Sequence, residues 1–158
     1  MIARARSAKR RNAASAEIGG DCLAVRIRLL NRTITRVYDA TLRECGLTIA
    51  QLNLLATIGN LQPATSHDVA EMLSMEISTL SRNARLMESS GWIEVLAAQR
   101  GNGRILQLTG AGAAKLEEAL PAWHEAQAQT RALLGEDSAA YLAKLVDALW
   151  REQLATRA

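Results

Sequence analysis

The chain of 158 residues contains no phenylalanine, and its ring side chains are limited to three tryptophans, two tyrosines and two histidines. Because 49% of the residues are hydrophobic, a sizeable core is still possible. That core must come from Leu, Ile, Val and Ala, a composition that suits packed helices. No apolar run approaches the roughly 20 residues of a membrane-spanning helix. The basic start is not followed by the apolar segment of a secretory signal. We therefore expect a cytoplasmic protein with no membrane partner.

Residues that carry catalysis or bind metals are also scarce. The two histidines lie far apart, and neither has a cysteine or an acid at ligand spacing on its own helix. Gly101 and Gly103 lie between two strand-like runs and open no helix, so they do not form a phosphate-binding loop. No serine or cysteine has a recognisable base partner nearby. We expect no enzyme activity, no catalytic residues, no metal and no cofactor.

Positive charge is concentrated at the start of the chain. Residues 1–16 contain five basic residues and no acid, which leaves 14 basic against 16 acidic residues, a net charge of −2, for the rest. A basic segment rich in Ala and Ser is typical of a disordered tail. We assign residues 1–20 to such a tail, which either contacts DNA or is simply solvated; its basic residues are Arg4, Arg6, Lys9, Arg10 and Arg11.

The stretch from Ser66 to Leu108 has the pattern helix, tight turn, helix, hairpin. A short helical segment over residues 66–73 is followed by a turn at 74–76 and a second helical pattern over 77–90. Two strand-like runs, 92–96 and 104–108, enclose a loop with turn-forming Gly and Asn. This order predicts a winged helix-turn-helix, a module that binds DNA.

The second helix of this stretch is amphipathic. An apolar stripe is predicted at Ile77, Leu80, Ala84 and Met87, which are spaced by three and four residues. Another face carries hydroxyl and guanidinium groups, which donate to phosphate oxygens and, for arginine, to guanine edges. The alternative is an ordinary solvated face, as in a winged helix used for protein contacts. The predicted contacts on this helix are Ser78, Thr79, Ser81, Arg82 and Arg85.

Long helices with apolar faces flank the winged module. One runs from Asp21, a plausible N-cap, to Glu44, with a heptad seam. Thr48 and Gln51 predict a capping box for the next helix, and Thr109 caps a helix over 110–134, in which Pro121 predicts a kink or a split. Gly135 to Asp137 is predicted as a break before a last helix over 138–154. The two predicted seams are Leu23, Ile27, Leu30, Ile34 and Val37, and Leu142, Leu145, Val146 and Leu149.

Five short motifs together resemble the MarR (multiple antibiotic resistance regulator) family of winged helix-turn-helix transcription factors. The resemblance covers roughly residues 22–155. It is carried by Leu47-Thr48-x-x-Gln51, Val69-Ala70-x-x-Leu73, Ser78-Thr-Leu-Ser-Arg82, Met87-Glu88-x-x-Gly91 and Leu108-Thr109-x-x-Gly112. It implies a two-fold homodimer that binds a double-stranded DNA operator. We expect a repressor released by a small aromatic or phenolic ligand.

The resemblance also implies wing contacts with DNA, although the family's usual Asp and Arg are replaced in this chain. Counting back from Leu108, the positions of those two residues are occupied by Arg100 and Asn102. Arg104 is the nearest second arginine. We add Ser66, at the start of the first helix of the motif, to the predicted DNA-binding set. Some members of the family sense hydroperoxides through a cysteine near the first helix. Cys22 is therefore a possible redox residue, and packing is its alternative role.

We predict a mainly α fold with a small β-hairpin wing, a winged helix-turn-helix with N- and C-terminal dimerisation helices. The tail covers residues 1–20, the dimerisation region 21–46 and 110–158, and the DNA-binding domain 47–109.

Overall fold

The computed structural model describes residues 13–97 and 103–155, with side chains through residue 151. It is mainly helical, with a small antiparallel sheet, as predicted. The helices are α1 at 13–21, α2 (Leu23–Leu42), α3 (Ile49–Leu61), α4 (Ser66–Met72), α5 (Ile77–Ser89), α6 (Gly110–Leu134) and α7 (Glu136–Ala155). The strands are β1 (Ala64–Thr65), β2 (Ile93–Ala97) and β3 (Arg104–Leu108), and a short 3₁₀ helix covers Arg43–Cys45.

The chain divides into two compact units, one ending at Arg36 and the other beginning at Val37. In the first unit, the prediction of a disordered tail through residue 20 is wrong for residues 13–20, which are helical. Asp21 ends α1 and is therefore not the N-cap of the next helix. The amide of Cys22 donates to the Ile18 carbonyl at 3.1 Å, and its own carbonyl accepts from the Arg26 amide at 3.2 Å. Helical hydrogen bonding thus continues across the one-residue break. The five basic residues of the tail lie outside the described residues.

Local capping chemistry fixes three helix starts in the second unit. The Thr48 hydroxyl accepts from the Gln51 amide at 3.3 Å, and the Gln51 side chain accepts from the Thr48 amide, which confirms the predicted capping box. Thr65 and Asp68 make a second capping box at α4. Thr109 accepts from the Gly112 amide at 3.0 Å at the start of α6.

The sheet has the strand order β1–β3–β2, and both pairings are antiparallel. Strands β2 and β3 form the predicted wing, with Val95 opposite Leu106. Strand β1 was not predicted; it adds two residues to the other edge of β3, with Ala64 opposite Leu106. The pairing links the start of α4 directly to the wing.

The C-terminal helices differ in two details from the prediction. Helix α6 continues through Pro121, so the predicted split is wrong. Pro121 is exposed, and water can therefore satisfy the carbonyl that loses its amide partner. The break before α7 is Gly135 alone, with φ +78°, and α7 begins at Glu136, two residues earlier than predicted.

The core of the second unit is aliphatic. Its fully buried large side chains come from α2, α3, α4, α5 and the sheet: Leu42, Leu54, Leu55, Ile58, Val69, Leu80, Met87, Ile93 and Leu106. Tyr38 is buried at the contact with α6, where its hydroxyl donates to Gln127 Oε1 at 2.6 Å. Burial raises the pKa of Tyr38, and the nearby Thr130 hydroxyl and Arg131 guanidinium oppose that rise.

Candidate nucleic-acid interface

A tight turn sets the angle between α4 and α5. The Met75 amide donates to the Ala70 carbonyl at 2.8 Å, and the Ser74 amide donates to the Glu71 carbonyl at 3.0 Å. Ser74 has φ +47°, an unusual conformation for a residue other than glycine, and it reverses the chain within a few residues. The predicted helix-turn-helix is therefore formed.

Helix α5 is held by one face and leaves the opposite face open. Leu80, Ala84 and Met87 are buried, as the apolar stripe predicts. Ile77, the first residue of the helix, lies at the end of this stripe and is 50% exposed. It lines a groove together with Leu80 and Ala84.

A groove of about 560 Å³ lies between the start of α4, helix α5 and the two wing strands. Leu80, Ala84 and Leu106 contribute to its apolar lining. Four residues of the predicted DNA-binding set line this groove: Ser66, Ser81, Arg85 and Arg104. The fold thus brings two arginines, 19 positions apart in sequence, to the same groove.

The other three predicted residues of α5 do not line the groove. Ser78 and Arg82 are exposed, and Thr79 is half-buried. Arg82 Nη2 donates to the Thr79 hydroxyl at 3.3 Å, which holds the guanidinium along the helix. The Asn83 side chain donates to the Thr79 carbonyl at 3.0 Å. The predicted set on α5 is therefore divided between a groove side, Ser81 and Arg85, and an outer side, Ser78 and Arg82.

Arg104 is positioned by contacts that the sequence did not reveal. Its carbonyl accepts from the Ser66 hydroxyl at 3.2 Å, next to the β1–β3 pair of Thr65 and Ile105. Arg104 itself is exposed and is the first residue of β3, at the open end of the wing. Ser66 therefore ties α4 to the wing. Arg100 and Asn102, the other predicted wing contacts, lie outside the described residues.

Two further ionisable side chains line the groove, Glu88 and His67. Glu88 was not predicted, although it lies seven residues after Ser81 and hence two turns further along the same face. Its carboxylate, three residues from Arg85, reduces the positive charge of the groove and disfavours phosphates at that end. His67 is exposed at the groove, with Nε2 3.9 Å from a carboxylate oxygen of Glu71.

Metal-binding groups, thiols and membrane-spanning helices are the features that would support other functions. In residues 13–97 and 103–155, no group of three or more His, Cys, Asp or Glu side chains is arranged to hold a metal ion. Cys22 and Cys45 are free, half-buried thiols. Cys22 does not occupy a free helix N-terminus, because the carbonyl of Ile18 already accepts from its amide. None of the helices in the described ranges combines the length and apolar character that a membrane crossing requires.

Comparisons with known proteins agree with this geometry. The sequence profile of the MarR family matches residues 47–100, which include α3, the helix-turn-helix and β2. The transcriptional regulator MosR of M. tuberculosis, solved in complex with DNA, is 30% identical, with 82% of this chain and 98% of that chain covered and a TM-score of 0.66. A mutant MarR from E. coli, solved in complex with operator DNA, is 25% identical, with coverages of 85% and 96% and a TM-score of 0.72.

An uncharacterized HTH-type transcriptional regulator of Bacillus cereus is 32% identical over 95 residues, which are 60% of this chain. The match spans 63% of that relative's length. The similarity to MosR, in contrast, extends over nearly the whole of that chain. Sequence profile, winged helix-turn-helix geometry and solved relatives agree, and the chain belongs to the MarR family of transcriptional regulators.

Proposed function

We propose that this protein is a homodimeric regulator that binds a double-stranded DNA operator through α5 and the wing. The observation that carries the proposal is the shared groove, which brings Ser81 and Arg85 of α5 together with Arg104 of β3. Two guanidinium groups and a hydroxyl along one side of α5 suit the phosphate backbone of DNA, with base edges beside it.

The division of α5 into two sides suggests a role for each arginine. Arg82, on the outer side and nearer the start of the helix, is placed for the base edges of a major groove. Arg85 and Arg104, at the groove beside the wing, are placed for phosphates or a flanking base. Ser78, beside Arg82 on the outer side, and Thr79, whose hydroxyl accepts from Arg82, are further proposed contacts. Arg100 and Asn102, which lie outside the described residues, are the other contacts that we propose. Residues 47–109 are thus the proposed DNA-binding domain.

Exposed apolar side chains support the homodimer. Within α2, Leu23 is 69% exposed and Ile27 65% exposed, and both belong to the predicted heptad seam. Within α7, Leu145, Val146 and Leu149 are also exposed. An apolar stripe of this size is normally covered in solution, and a second copy offers a matching stripe through two-fold symmetry. The flanking helices, 21–46 and 110–158, are therefore the proposed dimerisation region.

We propose repression that ends when an effector changes the separation of the two α5 helices. A small aromatic or phenolic ligand is the effector class that the family resemblance implies. A redox signal at Cys22 is the alternative, and the continuous hydrogen bonding around Cys22 removes the helix-terminus argument for a reactive thiolate.

Selection of duplexes from a random library by the full-length protein tests the proposal. We expect recovery of a two-fold symmetric site whose half-sites lie about one helical turn, roughly 10 base pairs, apart. Affinity for that site should fall steeply with salt, since several phosphate contacts release counterions. Recovery of no preferred sequence, with binding equal on all duplexes, would contradict the proposed operator function.

A further inference from the structure

The corner between α2 and α3 contains a hydrogen bond that joins the two helices directly. Asp39, one turn before the end of α2, accepts from the backbone amide of Ile49 through Oδ1 at 2.8 Å. Ile49 is the first residue of α3, and both residues are half-buried. Between them the chain passes through the 3₁₀ helix and Gly46, whose φ of +66° permits the sharp change of direction.

The N-terminus of α3 therefore has two caps of different origin. The Thr48 hydroxyl accepts from the Gln51 amide within the same segment, so this cap stabilises α3 independently of any other helix. Asp39 satisfies the Ile49 amide from α2, so its cap also fixes the direction of α3 relative to the end of α2. A carboxylate at this end of a helix is further favoured by the helix dipole.

Helix α3 lies against two of the elements that line the groove, α4 and β3. It packs against α4, β3 and α6. The approach to the wing is close, because a Cβ added at Gly59 of α3 would lie 3.2 Å from a methyl carbon of Leu108. A change in the direction of α3 therefore carries α4, the wing and the attached α5 with it.

We infer that Asp39 is a positioning residue that sets the half-site spacing accepted by the dimer. The inference rests on the proposed function, since spacing has meaning only for a dimer with two DNA-binding helices. Asp39 lies near the end of α2, a helix that carries part of the proposed dimer seam, and α3 packs against α4 and β3, which line the groove. In the proposed dimer, the hydrogen bond between Asp39 and Ile49 thus sets the separation and the angle of the two copies of α5.

The experiment uses the duplex selected by the wild-type protein, together with versions in which one base pair is inserted or removed between the half-sites. Each change rotates one half-site by roughly 35° about the DNA axis. We expect the wild-type protein to lose affinity by about tenfold or more on either altered duplex. Asp39→Leu should reduce this spacing penalty to about threefold or less, or move the optimum to an altered duplex. Asp39→Asn, which keeps the acceptor oxygen, should retain the wild-type penalty.

Thr48→Ala is the matched control, because it removes the other cap of α3 and leaves the bond to α2 in place. It should lower the melting temperature and keep the spacing penalty. If Asp39→Leu does not fold, Asp39→Ser provides the same measurement with a smaller change. In either variant, exchange of the Ile49 amide should be faster than in the wild-type protein.

The outcomes separate this inference from the function on which it rests. A full wild-type spacing penalty in Asp39→Leu and Asp39→Ser, as expected for Thr48→Ala, would assign Asp39 to stability alone and overturn the inference. A wild-type protein that binds the altered duplexes as tightly as the selected one would overturn it as well. A wild-type protein that selects no sequence would instead overturn the proposed function, and the inference with it.

Discussion

The winged region and the flanking helices bury their apolar side chains to very different extents. Helices α3, α4 and α5 and the sheet contain most of the fully buried large residues, such as Leu54, Ile58 and Met87. In α7, by contrast, no residue through Arg151 is buried, and Tyr141 is 69% exposed. The winged region thus completes its core within one chain, whereas α7 needs another surface to cover its stripe.

This difference separates two kinds of sequence pattern that look the same in a helical projection. The stripe of α5 and the stripe of α7 both repeat at three- and four-residue steps, yet only the former is covered by its own chain. Apolar periodicity shows that a helix will pack, and the rest of the structure determines whether the partner surface belongs to the same chain.

The largest effect is expected from a charge in the stripe of α7. Leu145→Glu should raise the dimer dissociation constant by about 100-fold or more, roughly 2.7 kcal/mol, because the substitution occurs twice in a symmetric interface. Sedimentation at low micromolar concentration measures it. Lys144→Glu, on the opposite face of α7, is the control and should remain dimeric. A wild-type protein that sediments as a stable, folded monomer would show that the stripe of α7 is not covered by a second copy, and would contradict the proposed homodimer.

A smaller effect is expected where the winged region meets α6. A Cβ added at Gly112 would lie 2.0 Å from the Trp92 carbonyl oxygen and 2.6 Å from a methyl carbon of Leu108. Gly112→Ala should therefore lower the free energy of unfolding by about 1–3 kcal/mol, or more if the backbone cannot shift. Denaturation by urea measures the change.

Gly110→Ala is the matched control for that substitution. It lies in the same first turn of α6, and a Cβ added there meets no atom within 4 Å. The change should be neutral or slightly stabilising, by up to about 1 kcal/mol, because alanine has the higher helix propensity. Equal destabilisation by both substitutions would show that the contact with Trp92 is not what constrains Gly112.

The smallest effect is expected at Cys22 in the flanking region. Hydroperoxide treatment should leave the affinity for the selected duplex within about twofold, since Cys22 is half-buried and lies within continuous helical hydrogen bonding instead of at a free helix N-terminus. Cys22→Ser should bind with the same affinity before and after treatment. A peroxide-dependent loss of binding that Cys22→Ser abolishes would establish the redox alternative.

The parts of the fold that could be predicted from sequence are those encoded by local chemistry. Each cap, at Thr48 and at Thr109, joins two residues only three positions apart. Both partners therefore lie in one short segment and can be recognised from the sequence. Strand β1 could not be predicted in this way, because its two residues pair with residues about 40 positions away. The continuity of α6 through Pro121 depends on the exposure of that residue, which periodicity does not give.

Four of the predicted residues line the groove, whereas the division of the predicted set between two sides of α5 was not predicted. Residue type and helical spacing indicated Ser81, Arg82 and Arg85, but only the placement of the wing shows that Arg82 lies outside the groove. Glu88 was not predicted, although its seven-residue spacing from Ser81 places it on the same face of the helix. Which side of α5 lines the groove depends on where the wing strands pack, and helical spacing within α5 does not contain that information.

Base recognition by α5 depends most directly on Arg82. Titration of Arg82→Ala and Arg104→Ala against the selected and a scrambled duplex, at several salt concentrations, measures it. We expect Arg82→Ala to cost about 1–3 kcal/mol on the selected duplex and much less on the scrambled one. Arg104→Ala should weaken both duplexes about equally and reduce the salt slope by roughly one. Equal losses on both duplexes for Arg82→Ala would contradict base recognition by the outer side of α5.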